Sequence, residues 1–195
     1  DGTGSNAGHV RVYNYNGSVW IQLGGDIDGE TAGDSNGQSV SLSADGQTVA
    51  IGANLSDTTG SNAGHVRVYK YDVNKTTNVT DQNSADFGPV GWRRLDQDID
   101  GEAAGDYNGQ SVSLSADGQT VAIGGILNDG TGSDAGHVRV YQLPSTPDPT
   151  YVVGSNTYSY SLDSSNNATI TAFTPIDYAG DLPIVDVVLN NYTAE

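Results

Sequence analysis

Two short stretches hold the side chains best suited to chemistry. Asp26, Asp28, Glu30 and Asp34 lie within residues 25–34, and Asp98, Asp100, Glu102 and Asp106 repeat them within 97–106. Closely spaced carboxylates on a glycine-bearing loop are hard oxygen ligands of the kind calcium takes. Their spacing is not that of an EF-hand. The same groups can instead cap turns and pair with Arg11, Arg67 and Arg139, which recur at one position of a repeat. His9, His65 and His137 also share one repeat position. Three converging imidazoles would suit zinc; the plainer reading is a hydrogen-bonding residue at a strand edge, copied along with its module. The chain has no Cys, which removes thiolate nucleophiles, disulfides and Cys-ligated zinc. It also lacks a Gly-x-Ser-x-Gly elbow, a phosphate-binding loop and a His-Glu-x-x-His motif, so it reads as a non-enzyme. Ser-Ala-Asp-Gly at 43–46 and 115–118 needs only to be a turn, because Asp and Gly supply the backbone angles.

Asparagine carries a further possibility. Asn16, Asn54, Asn74, Asn78, Asn167 and Asn191 each open an Asn-x-Ser/Thr sequon. Chance would give roughly 3 at this composition. Glycans on them would make the chain an extracellular or cell-surface glycoprotein. Charge narrows the partners: 24 Asp and Glu against 7 Lys and Arg give −17, which argues against nucleic acid and anionic membrane surfaces and favours cations or basic surfaces. No apolar run is long enough to insert into a membrane. The absence of any Met, a starting one included, reads as a processed or partial chain.

The elements that must position these groups come from a repeat. Gly-Ser-Asn-Ala-Gly-His-Val-Arg-Val-Tyr at 4–13 recurs unchanged at 60–69, and at 132–141 with Asp134 for Asn. The sixteen residues 37–52 recur unchanged at 109–124. Residues from about 72 to 88 interrupt the second copy as an insertion. Val40 and Leu42 alternate with serines, Asp45-Gly46 turns, and Val49 and Ile51 alternate again, which predicts a hairpin with one apolar face. Val10 and Val12, the Asn16-Gly17 turn and Trp20 to Leu23 predict a second hairpin. No segment has helical periodicity. The fold class is therefore all-β, built from four-stranded antiparallel units that bury their faces by stacking on copies of themselves.

At this point the repeat resembles a known family. Gly37-Gln38-Ser39-Val40, Val49-Ala50-Ile51-Gly52-Ala53 and Gly64-His65-Val66-Arg67-Val68-Tyr69 are similar to the FG-GAP repeats of integrin α-chain-like β-propellers, over residues 1–143. The likeness is nearest to tandem repeats of secreted and surface proteins. Asn36 and Asn108 stand where the family has Phe, and Asn54 where it has Pro. The resemblance implies stacked propeller blades, and calcium as the cofactor of their loops.

With the four strands of a blade labelled A to D, residues 8–24 supply C and D, 37–98 supply A to D, and 109–142 supply A to C. That is about two and a quarter blades, where closed propellers take roughly 4–8. Residues 144–195 then form a Pro-rich linker and a small C-terminal β-strand tail that fills part of the gap. Open blades at both ends predict self-association, as the head-to-tail subunit of an extracellular structural or adhesive filament. The alternative is a protein- or glycan-binding fragment of a larger calcium-dependent propeller. Val40, Leu42, Val49, Ile51, Val112, Leu114, Val121 and Ile123 are expected in the interior, with Trp20 and Trp92 in equivalent places. An Asp at Leu42 or Leu114 is expected to abolish folding.

Overall fold

Alternating apolar and small polar residues, punctuated by Asp-Gly and Asn-Gly, fold here into antiparallel strands, and no helix occurs among the described residues. The computed structural model describes residues 3–143, and beyond them the backbone of the strands within 150–189. Contacts divide the chain into two compact units, Asp1–Pro144 and Ser145–Glu195.

The first unit holds three sheets. β1 (His9–Tyr15) pairs with β2 (Trp20–Asp28). β3 (Ser39–Leu42), β4 (Thr48–Ala53), β5 (His65–Tyr71) and β6 (Trp92–Arg94) follow in that order in a central sheet, where β7 (Ile99–Asp100) also pairs with β5. β8 (Asn108–Leu114), β9 (Thr120–Gly125) and β10 (His137–Gln142) form the third. In the second unit β11 (Thr150–Val153), β12 (Asn156–Leu162), β13 (Ala168–Thr174) and β14 (Val188–Leu189) make an antiparallel sheet in chain order.

The expected grouping of two, four and three strands holds, with one departure. The last strand of the central group is split into β6 and β7, whereas its counterpart β2 runs unbroken through Asp28. Both copies place a left-handed residue at the same repeat position, Gly24 (φ 67°) and Asp96 (φ 62°). Around Gly24 the strand absorbs the extra residues as a bulge, its register jumping between Val10–Ile27 and Val12–Leu23. Around Asp96 pairing stops and resumes. Asp26, Asp28 and Asp100 consequently stand on strands and not in short turns.

Successive residues of a strand face opposite sides, so a strand buried throughout needs a sheet on each side. β4 is such a strand. Val49 and Ile51, with Tyr69, Trp92 and Phe87, cluster with Val10, Val12 and Ile27 of the first sheet. Ala50, Val66 and Val68, on the other face, cluster with Leu114, Val121 and Ile123 of the third. The insertion is part of this packing, since it delivers Phe87 to the first cluster. Lys75 holds it in shape, its Nζ donating to the carbonyls of Thr77 (2.7 Å) and Gly88 (2.9 Å).

The core expectation fails for two residues. Val40 and Leu42 are 54% and 47% exposed. They sit opposite Ile51 and Val49 in register and so face the first sheet, but that sheet is only two strands wide and leaves them uncovered. Their counterparts Val112 and Leu114 do pack, because β3 lies against β8: the Ser39 hydroxyl donates to Gly109 O (2.7 Å), and Leu114 N donates to the Ser41 hydroxyl (2.9 Å). Trp20 and Trp92 do hold equivalent positions, opposite Tyr15 and Tyr71, but differ in burial. Trp92 is fully buried and donates its Nε1–H to Leu23 O (2.9 Å), while Trp20 is 68% exposed. The revised expectation is that Leu42→Asp leaves the chain folded, with stability changed by less than about 1 kcal/mol in urea titration.

Candidate functional site

Most of the acidic residues singled out in the sequence are already spoken for. Asp34 is buried and accepts from Thr31 N (2.9 Å); Asp106 is buried and accepts from Glu102 N, Ala103 N and the Asn128 amide, each at 3.0 Å. These two cap turns. Asp26 accepts from Arg11 and from Gln22 Nε2 (2.7 Å), and the Arg11 bond in particular holds its carboxyl down at about 2. Glu30 crosses from the first sheet to the central one, reaching Arg67 at 2.8 Å, and Glu102 crosses to the third in the same way to pair with Arg139. Asp28 is exposed.

The remaining two acids converge. His65 opens β5 directly opposite Asp100 in register, and Asp98, two residues earlier, shares that face. A ring nitrogen of His65 and one oxygen each from Asp98 and Asp100 lie within 4.8 Å of one another, the one such set among the described residues. His65 is 2% exposed. Burial, with the Arg67 charge beside it, pushes the imidazole down to about 4, so it is neutral at pH 7. Burial raises the Asp100 carboxyl, and the neighbouring Asp98 charge adds to this. Burial acts on Asp98 in the same sense but is outweighed by Arg67, which donates to it through Nε (2.8 Å) and Nη2 (2.5 Å) and holds it low. Arg94 adds a second guanidinium at 2.5 Å. Phe87 lies over both arginines, its centroid 5.5 Å from the Arg67 Cζ and 4.6 Å from that of Arg94. His65 Nδ1 and Asp100 Oδ1 are buried with no hydrogen-bond partner.

The three histidines do not meet, since each stands in a different sheet. Arg94 and Phe87 escaped the sequence reading, because neither belongs to the repeated modules. The available signal was a basic residue four positions before Asp98, where the first repeat has Gln22, and one of only 2 Phe in the chain.

Two sheet faces complete the inventory. Val66 and Val68 are buried at 0% and 2%, yet Val138 and Val140, at the same repeat positions, are 71% and 66% exposed on the outer face of the third sheet. On the outer face of the first sheet Tyr13 and Trp20 are exposed where their equivalents Tyr69 and Trp92 are buried. Of the sequons, Asn16, Asn74 and Asn78 are exposed. Asn54 is buried, and its Nδ2, the atom a glycan would take, donates to Gln110 (2.6 Å), so the folded chain has no room for one there. Asn167 and Asn191 lie outside the described residues.

Comparison with family models, curated proteins and solved structures returned no match to this chain.

Proposed function

We propose that this chain is an extracellular structural or adhesive protein whose incomplete propeller-type blades self-associate head to tail. One observation carries the reading. The exposed face at each end repeats residues that are buried between sheets inside the molecule: Val138 and Val140 repeat Val66 and Val68, and Trp20 repeats Trp92. Large apolar side chains grouped on an open sheet face mark an interaction surface. What covers their equivalents inside is another copy of the same repeat. Because the two faces differ and lie at opposite ends of the repeat series, a contact between them is heterologous and propagates. The free edge of β1 beside the uncovered Val40 and Leu42 adds backbone donors and acceptors that a neighbour's strands would satisfy. The FG-GAP-like modules support the blade assignment, and the exposed sequons at Asn16, Asn74 and Asn78 support an extracellular location.

Sedimentation of face-blocked variants tests this. Wild-type protein is expected to polymerise. Val138→Lys with Val140→Lys blocks one face, Trp20→Lys blocks the other, and each variant alone is expected to sediment as a monomer. Mixed in equal amounts they retain one good face of each kind and are expected to form dimers and nothing larger. A wild type that stays monomeric at millimolar concentration, or polymers that survive either variant, overturns the reading.

A further inference from the structure

The geometry points to a zinc-class divalent metal site formed by His65, Asp98 and Asp100 beneath the first sheet, independent of any assembly. Three features of the cluster lead there. The first is the set itself: one imidazole and two carboxylates presented from adjacent strands, with donor atoms within 4.8 Å of one another. Around a tetrahedral ion with ligands at about 2.1 Å the donors stand about 3.4 Å apart, so modest rotation of the side chains closes the set.

The second feature is an unmet need. His65 is almost wholly buried, yet its Nδ1 has no partner, and neither does the buried Oδ1 of Asp100. Buried polar atoms are nearly always satisfied, and an orphaned pair in one cluster calls for an explanation. Charge points the same way. Arg67 and Arg94 both bond Asp98, and Arg67 also takes Glu30, so the half-buried Asp100 is left without a salt bridge to either arginine. A dication between His65 and Asp100 supplies a partner to both at once. Asp98 has spare acceptor capacity as third ligand, with the arginines fixing its orientation as hydrogen-bonded supports of a ligand do.

The third feature is selectivity by position. His9 stands opposite Asp28 in β2 with Asp26 two residues earlier, the same residue types in the same register. There His9 and Asp28 are exposed and Asp26 is bound by Arg11 and Gln22. Among the described residues His137 has no equivalent of β7 in its sheet. The repeat thus offers the pattern more than once, and among the described residues only the central copy has both the paired strand and the covering sheet. A nitrogen ligand in a three-donor set favours zinc over calcium, which takes six to eight oxygens.

The test is direct titration of the full chain, stripped with a chelator, with zinc chloride and separately with calcium chloride, read by calorimetry and by melting temperature. One zinc per chain is expected to bind and raise the melting temperature, because a ligand held by the folded state alone stabilises it by mass action. Calcium is expected to have no such effect at equal concentration. His65→Gln and Asp100→Asn are each expected to weaken zinc binding at least about tenfold, with circular dichroism of the metal-free variants checking that they are folded. His9→Gln with His137→Gln is expected to bind zinc like wild type. Three results overturn the proposal: no zinc-dependent shift, binding lost with His9 and His137 instead of His65, or nitrogen NMR of the stripped protein in excess zinc still finding His65 Nδ1 protonated in a hydrogen bond to Asp100.

Discussion

Trp92→Ala is expected to lower the free energy of unfolding by about 3–5 kcal/mol, whereas Trp20→Ala changes it by less than about 0.5 kcal/mol in the monomer. The two residues share a repeat position and stand opposite the same residue type, Tyr71 for Trp92 and Tyr15 for Trp20. Both rings meet that tyrosine at nearly the same separation, 5.3 and 5.2 Å. What differs is the sheet above. Trp92 is fully buried in the cluster that joins the first and central sheets, and its Nε1–H is satisfied by Leu23 O. Truncation there opens a cavity between two sheets and orphans a carbonyl. Domains have about 5–15 kcal/mol of stability in all, so the Trp92 variant stands near the limit of folding. Urea titration of both variants at concentrations where the chain is monomeric checks the contrast. Equal losses would mean that the shared Tyr–Trp contact, and not coverage by a second sheet, carries the energy.

Arg67→Met is expected to cost about 3–5 kcal/mol, because removing one partner of a buried ion pair leaves the other charge uncompensated. Arg67 is 4% exposed and bridges two sheets, binding Asp98 through two nitrogens and Glu30 through a third. Burial alone would favour its neutral form, but those hydrogen bonds raise its pKa further above the ordinary arginine value, so it stays charged. In the variant Asp98 keeps only Arg94, and Glu30 keeps only the Gln82 amide. Arg139→Met and Arg11→Met, at the same repeat position, remove pairs whose arginines are 36% and 44% exposed. Each is expected to leave the unfolding midpoint nearly unchanged, because solvent screens exposed pairs. Denaturant titration with chelator present separates this effect from metal binding. A loss at Arg67 no larger than at Arg139 would show that Asp98 and Glu30 find water or other donors when it is gone.

Much of the architecture was legible from residues alone. Exact recurrence of modules, Asp-Gly turns and alternation of Val, Ile and Leu with Ser and Thr dictate antiparallel strands in groups of two, four and three, because side-chain direction in a strand has a period of two and the turns set the pairing. Pairing of Arg11, Arg67 and Arg139 with the acidic stretches was legible too, since the arginines recur at one position of their module and the acids at one position of theirs. Burial was not. Val40 and Val112, Trp20 and Trp92, Val66 and Val138 are the same residues at the same repeat positions, and each pair has one covered and one open member. Coverage depends on how many strands the adjoining sheet contributes at that point, a non-local quantity that no repeat unit encodes by itself. The same cause governs the candidate metal site: His9 and His65 carry the same flanking pattern, and only the sheet over His65, with Arg94 and Phe87 from outside the repeat, draws its neighbours into one cluster around a buried imidazole.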